Sequence, residues 1–425
     1  MAGTVDVFTS AEWAKVSTFG PLAPPDADPT NRYADNDAAA AFGQRLFFEK
    51  SYSGALIVGD DGSNGGLGAV GEAGKVGCVS CHDPNNWFID TRSKPGNISL
   101  GVNYTPHNAP SLVNASYYKW MTWTGKADAP WCQAAAAPEA PTDAGSDRLT
   151  YVHMIYRKYK SDYNAVFPVA LDAALDPAAA DATRFPASGA PKANASSPDG
   201  PWELMTAADR QVVETIMSNC GKSLEAYERK LTSRNAPIDR YIAGDYTALS
   251  DSAKRGLELF IGKAACVACH SGPTFTDQDF HVTGVPQIGA HVMPTDNGRF
   301  DAIAKVLSSP YNGAGAFSDD TTAGMMKLAG LTQTMDDLGK FRTKSLRHVA
   351  KTGPFFHNGS AATLDDVVTF YNMGGGSGMF TGTKDARLAP LNLTTDEHND
   401  LVQFLATALL GEEVPSALMV DTSAP

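Results

Sequence analysis

Apolar positions along the chain recur mostly at helical spacing. Residues 38–48 (AAAAFGQRLFF) and 252–262 (SAKRGLELFIG) each read as a short helix. Between Ala207 and Arg234, the residues Val212, Val213, Ile216, Leu224, Tyr227 and Leu231 return at roughly the same period, and Pro237 closes the stretch. A last helix is expected over 395–410, opened by Thr394-Thr395-Asp396-Glu397 and stopped by Gly411. Strand patterns are few. A Gly-rich stretch at 59–74 reads as a surface loop, and 176–201, rich in Ala, Pro, Ser and Gly, as an irregular excursion. The first two helices share a Gly followed by a Leu-Phe pair, Gly43…Leu46-Phe47 and Gly256…Leu259-Phe260, a weak internal repeat. The pattern predicts a mainly α chain with long loops and little strand. It divides into an N-terminal extension (1–35), an N-terminal domain (36–240) carrying both inserts, a C-terminal domain (241–411) and a loose tail (412–425). Residues 238–249 read as the linker into the C-terminal domain.

Composition fits this division. A chain of 425 residues, 43% hydrophobic and 19% charged, is long enough for two or three cores and ordinary for a soluble protein. A formal net charge of −13 makes nucleic acid and anionic membrane surfaces poor partners. No apolar run is long enough to span a bilayer. The start, Met1-Ala2-Gly3-Thr4-Val5-Asp6, has neither the basic nor the apolar region of a signal peptide.

Two segments carry specific chemistry, Cys78-Val79-Ser80-Cys81-His82 and Cys266-Val267-Ala268-Cys269-His270. Both read C-x-x-C-H, the attachment signature of c-type haem. The two thiols add across the haem vinyl groups, and the adjoining His becomes the proximal iron ligand. A zinc site would use the same atoms, and a thioredoxin-like motif would use each C-x-x-C. Two complete motifs, taking four of the six cysteines, favour two covalently bound haem c groups instead. Each motif follows one of the repeated helices, so the expected architecture is two cytochrome-c-like haem domains. Such attachment normally happens outside the bacterial cytoplasm, which predicts a periplasmic protein whose signal peptide has been removed. Cys132 and Cys220 remain, either as a disulfide or as two buried thiols.

Further segments, in order, resemble the bacterial di-haem cytochrome c peroxidase/MauG family. They are Arg45-Leu46-Phe47-Phe48, the first haem motif, His107-Asn108-Ala109-Pro110-Ser111-Leu112 and Trp123-Thr124-Gly125-Lys126. Then come Gly221-Lys222…Ala226-Tyr227-Glu228-Arg229, the second haem motif with Ser271-Gly272-Pro273, and Gly353-Pro354-Phe355-Phe356-His357-Asn358-Gly359. The match covers about 43–160 and 206–411.

The resemblance implies that peroxide reacts at the N-terminal haem, held by His82, while the C-terminal haem, held by His270, stores or relays an electron. Many peroxidases of the family cap the first iron with a His after a Ser-x-Gly segment. Here that segment is Ser99-Leu100-Gly101-Val102, and valine cannot bind iron. His107 stands where the family usually has Arg, which makes it a residue behind the iron ligands. The first haem is then five-coordinate, as in MauG. The sixth ligand of the second haem falls fourteen residues beyond His357, at Tyr371, where MauG has Tyr and peroxidases have Met; Met373 follows two residues later. Trp123 matches the tryptophan between the haems, with Thr124 and Lys126 replacing the usual Asp and Arg. Gln133 and Asp143 match the distal Gln and carboxylate, and Glu139 is an alternative carboxylate. A calcium ion is implied at the Asn108 side chain and the carbonyls of Thr352 and Pro354. His281 matches a position near the second haem; His153, His291, His348 and His398 read as structural or exposed.

The leading expectation is a MauG-like oxidoreductase that uses H2O2 and shares the oxidising charge between its haems as a high-valent pair. One alternative is an ordinary di-haem cytochrome c peroxidase that detoxifies H2O2. The other is a non-catalytic electron-transfer cytochrome with both irons six-coordinate. The implied partners are H2O2 and a redox protein (a c-type cytochrome, a cupredoxin or a protein substrate), and the chain is expected as a monomer or homodimer.

Overall fold

The computed structural model describes residues 4–62, 66–92 and 98–422. Met1-Ala2-Gly3, part of the 59–74 insert and the last three residues of the tail lie outside them. The first half holds helices α1 (Ser10–Val16), α2 (Asp37–Phe48), α3 (Cys78–Cys81), α4 (Pro130–Ala136), α5 (Arg148–Val166), α6 (Pro201–Leu204) and α7 (Ala207–Glu228). The second half holds α8 (Pro237–Ile242), α9 (Asp251–Ile261), α10 (Arg299–Ser308), α11 (Thr321–Leu328), α12 (Leu364–Asn372) and α13 (Thr395–Thr407). Strand is confined, among the described residues, to two antiparallel pairs, β1 (Thr4–Val5) with β2 (Phe8–Thr9) and β3 (Phe280–His281) with β4 (Phe341–Arg342). The fold is mostly helical, as the apolar period predicts.

Side-chain caps fix where these helices begin. Asn36 caps α2 by accepting from the Ala39 amide, and Ser250 caps α9 through Ala253. Thr394 and Glu397 form a capping box on α13. Two boundaries differ from expectation. Helix α7 stops at Arg229, and the expected linker opens with α8, whose Ile238 and Tyr241 are fully buried. Pro237 therefore starts a helix rather than ending α7, which has already stopped before it.

Two apolar cores result. The first joins Phe42, Leu46 and Phe47 of α2 to Trp131 of α4, Ile155 of α5, and Ile216 and Leu224 of α7. The second joins Leu257 and Phe260 of α9 to Val368 of α12 and Leu401 and Phe404 of α13. The repeated glycines mark the tightest crossing in each. A Cβ on Gly43 would lie 1.9 Å from the Ser223 carbonyl oxygen of α7, and one on Gly256 would lie 2.1 Å from the Asp400 carbonyl oxygen of α13.

The chain ends cross over. Phe8, Val16 and Phe19, from the N-terminal extension, pack into the second core. The buried pair Arg347–Asp239 lies beneath them, with Arg347 also donating to the Phe19 carbonyl at 3.0 Å. The tail returns to the first core and is docked rather than loose. Tyr227 donates to the Leu418 carbonyl, and the Gln44 amide to those of Ala417 and Val420. Cys132 and Cys220 are separate buried thiols, the first against Asp128 and the second against Tyr151.

Candidate active site

Each C-x-x-C-H segment folds as a single helical turn. His82 donates its amide to the Cys78 carbonyl at 3.0 Å, and His270 donates to Cys266 at 2.8 Å. Cysteines three apart on such a turn share one face, with the His following directly. The two imidazoles are held alike. Nδ1 of His82 lies 3.1 Å from the Phe88 carbonyl oxygen, and Nδ1 of His270 lies 3.0 Å from that of Phe275. A main-chain carbonyl on Nδ1 orients the ring and leaves Nε2 as the iron-ligating nitrogen. Burial lowers both histidine pKa values, keeping the rings neutral as a ligand must be.

The first turn borders a cavity of about 380 Å³, and the second one of about 490 Å³. These volumes suit a macrocycle and far exceed a zinc ion. Thiols at one edge, a neutral imidazole and apolar walls make both cavities fit haem c.

Gln133 on α4 and Asp143 line the first cavity, together with Glu228 on α7. Asp143 is placed by a close backbone contact: a Cβ on Gly101 would lie 2.2 Å from the Asp143 carbonyl, which also accepts from the Val102 amide at 2.8 Å. The Val102 side chain turns away into a small cluster with Leu56, Leu67, Val76 and Leu100. Glu139 does not reach the cavity wall. It is ion-paired to Arg148 at 2.7 Å, and Arg148 also binds Glu214. The expectation of Glu139 as a distal carboxylate is therefore replaced by a structural ion pair. His107 lines the cavity, but its Nε2 is engaged by Asp296 Oδ2 at 2.6 Å.

Tyr371, in the last turn of α12, lines the second cavity with Cys266, Cys269 and His270. Burial raises its pKa, and the nearby Cys269 and Cys266 add to the effect. Met373, two residues on, is 64% exposed. His281 also lines this cavity, held by Asp277 and Asp385.

The cavities share a wall, because Asn108, Ala109, Pro110 and Ser111 border both, as do Tyr118, Trp123, Arg342 and Lys344. Trp123 is pinned there, with Nε1 donating to the Asn108 carbonyl at 2.8 Å and its own carbonyl accepting from the Arg342 amide at 2.8 Å. The Asn108 side-chain amide lies 3.0 Å from the Pro354 carbonyl oxygen, and Thr352 lies on the same wall of the second cavity. In this arrangement Asn108 Nδ2 faces the Pro354 carbonyl, and Oδ1 accepts from Ser99 Oγ at 3.2 Å.

Several wall residues carried no functional reading in the sequence. Burial raises the Glu228 pKa to about 8; the residue lies within a quoted family segment, so its position was visible but its surroundings were not. Arg342 is a buried cation and Lys344 a half-buried one, and desolvation lowers the pKa of both. His348 is buried and stacked on Trp87, as a structural residue would be, and it also borders the second cavity, its Nδ1 without a hydrogen-bond partner among the described residues. His153 is structural, bonded to the Leu175 and Phe185 carbonyls; His291 stacks on Tyr104; and His398 binds Asp365 near the surface.

Comparisons with known proteins agree with this geometry. A family profile described as "Di-haem cytochrome c peroxidase" matches residues 37–247. The cytochrome-c peroxidase IdrP1 of Denitromonas iodatirespirans is 33% identical over 410 residues, covering 94% of this chain and 88% of the relative. The methylamine utilization protein MauG of Methylorubrum extorquens is 25% identical over 77% of this chain and 70% of its own length. The diheme peroxidase BthA of Burkholderia thailandensis superposes with a TM-score of 0.62 at 20% identity, covering 95% of each chain, and so shares the fold. Among the described residues, no helix is long and apolar enough to cross a membrane. The paired cavities, each with its two thiols and neutral imidazole, and the match along most of the chain make this protein a member of the di-haem cytochrome c peroxidase/MauG family, a peroxidase-type oxidoreductase with two haem c groups.

Proposed function

We propose that the chain is a MauG-type di-haem peroxidase of the periplasm, taking oxidising equivalents from H2O2 at the His82 cavity. Cys78, Cys81 and His82 would hold one haem c, and Cys266, Cys269, His270 and Tyr371 the other. Bound there, haem iron would supply the two electrons that cleave the peroxide O–O bond. The protein's own part is positioning and proton transfer. The Gln133 amide would orient the peroxide. The Asp143 carboxylate would take the proton from the near oxygen and return it to the departing oxygen. Trp123, in the wall common to both cavities, would shorten the path for charge between them. Electrons would come from a redox partner, a c-type cytochrome, a cupredoxin or a protein substrate.

The observation that carries the reading is that Tyr371 lines the second cavity together with His270, while Met373 is 64% exposed. A phenolate is a hard anionic ligand that favours the higher oxidation states of iron, whereas a Met thioether raises the potential. The valine at position 102, packed away from the first cavity, supports an open iron there. Optical and electron-paramagnetic-resonance titration of the ferric protein with H2O2 provides the test. One high-spin and one low-spin haem, both responding to peroxide without prior reduction, are expected. Two low-spin haems unchanged by peroxide would point to an electron-transfer cytochrome. A requirement for prior reduction would point to an ordinary peroxidase. The Tyr371→Phe variant should lose the His/Tyr low-spin signal, and an unchanged spectrum would exclude Tyr371 as a ligand.

A further inference from the structure

In a chain of net charge −13, Arg342 and Lys344 border both cavities, and among the described residues neither is ion-paired to a carboxylate. Arg342 is 3% exposed. Its guanidinium lies 3.6 Å from the Tyr118 ring centroid, its Nε donates to the Thr122 carbonyl at 3.2 Å, and one terminal nitrogen, Nη1, has no hydrogen-bond partner. The Lys344 ammonium lies 4.6 Å from the Tyr118 centroid and 5.1 Å from that of Trp123. A buried cation without an anion is costly, and a stacked ring recovers only part of that cost. The buried Arg347 and Arg148 are carboxylate-paired, the first with Asp239 and the second with Glu139 and Glu214, whereas Arg299, 4% exposed, donates to the Gly125 carbonyl and approaches only the first cavity, through its neighbour Gly298.

The place of these two cations identifies the missing anion. Both border both cavities, whereas Cys78 and Cys81 border only the first and Cys266 and Cys269 only the second. The cysteines take the vinyl groups, which sit on the edge of the macrocycle away from its two carboxylates. The carboxylate edge therefore lies away from the cysteines in each cavity, and the shared wall carries the uncompensated positive charge. We infer that Arg342 and Lys344 form a cationic clasp that binds haem carboxylates from both sides of the Trp123 wall. The clasp fixes the two macrocycles against that wall and, through its charge, raises the reduction potential of each. Arg342 and Lys344 are positioning residues here, and the inference rests on two haem c groups rather than on the Tyr371 ligand or MauG-type chemistry.

The test uses the haem-loaded full chain, with two haems per chain verified by the pyridine haemochrome spectrum and with unaltered axial ligation. That control separates failure of the di-haem reading from failure of the clasp. Lys344→Gln and Arg342→Gln should shift the haem carboxylate bending bands in resonance Raman spectra. They should also disfavour reduction of at least one haem tenfold or more, which is about 59 mV for one electron. Lys344→Arg and Arg342→Lys should stay close to the parent, and they serve as the measurable pair if a neutral variant does not accumulate. Unmoved carboxylate bands and potentials in the neutral variants would overturn the clasp. So would charge-retaining variants that shift the potentials as far as the neutral ones.

Discussion

Asp143 and Glu139 stand four residues apart, and their surroundings give them different work. Asp143 faces the first cavity, whereas Glu139 is tied to Arg148. Asp143→Asn should therefore slow the reaction with H2O2 by about 10²–10⁴-fold in stopped-flow measurements, the usual range for a lost acid–base group. Glu139→Gln should leave that rate near the parent and lower the unfolding midpoint, because Arg148 loses its main anion; the opposite pattern would restore Glu139 as the distal carboxylate. Glu228 carries a pH prediction. Its carboxyl has an ordinary value of 4.5, and burial raises it to about 8 in the folded chain. The folded state thus holds a proton that the unfolded state releases first. This stabilisation is complete below about pH 4.5 and is lost as pH rises through about 8. Glu228→Gln keeps a neutral side chain at every pH, so it should gain about 1–4 kcal/mol over the parent near pH 9 relative to pH 5. Parallel unfolding-versus-pH curves for the two proteins would refute the shift.

At the scale of elements, helix crossings set the geometry of each half. Gly43 and Gly256 occupy equivalent places in the internal repeat, and each lets a helix lie against a backbone carbonyl of its partner. Backbone cannot step aside as a flexible side chain can, so an added methyl must push the helices apart. Gly43→Ala and Gly256→Ala should each destabilise by about 1–3 kcal/mol in denaturant titration. Gly43→Ala should in addition disturb the first haem, because α7 carries Glu228 and packs on α4, which carries Gln133. A spectrum altered only at the second haem would contradict that coupling. Elements without a clean apolar stripe were harder to read. Helix α5 buries Tyr151, Val152, His153, Met154, Ile155 and Tyr156 in succession, so its apolar positions trace no single face.

For the molecule as a whole, the halves are tied by crossed termini and by the wall between the cavities. Calcium at Asn108, Thr352 and Pro354 would brace that wall from both sides. Chelation of the holoprotein should then change the haem spectra and lower thermal stability, with added Ca²⁺ restoring both; indifference to chelator would remove Asn108 as a ligand. The sequence by itself determined the local chemistry. Thiol and imidazole spacing, helix caps and the 3.6-residue period are short-range properties, so two haem turns and a mainly helical chain were legible from it. With the family resemblance, the placing of Tyr371 at the second cavity and of Trp123 on the shared wall was legible as well. Tertiary structure alone decided which groups share a cavity. It separated Asp143 from Glu139, left Cys132 and Cys220 as two thiols, docked the tail on the first core, and set Arg342 and Lys344 between the cavities without a carboxylate partner among the described residues. Those outcomes depend on burial and on partners far along the chain, which residue order does not specify until the helices pack.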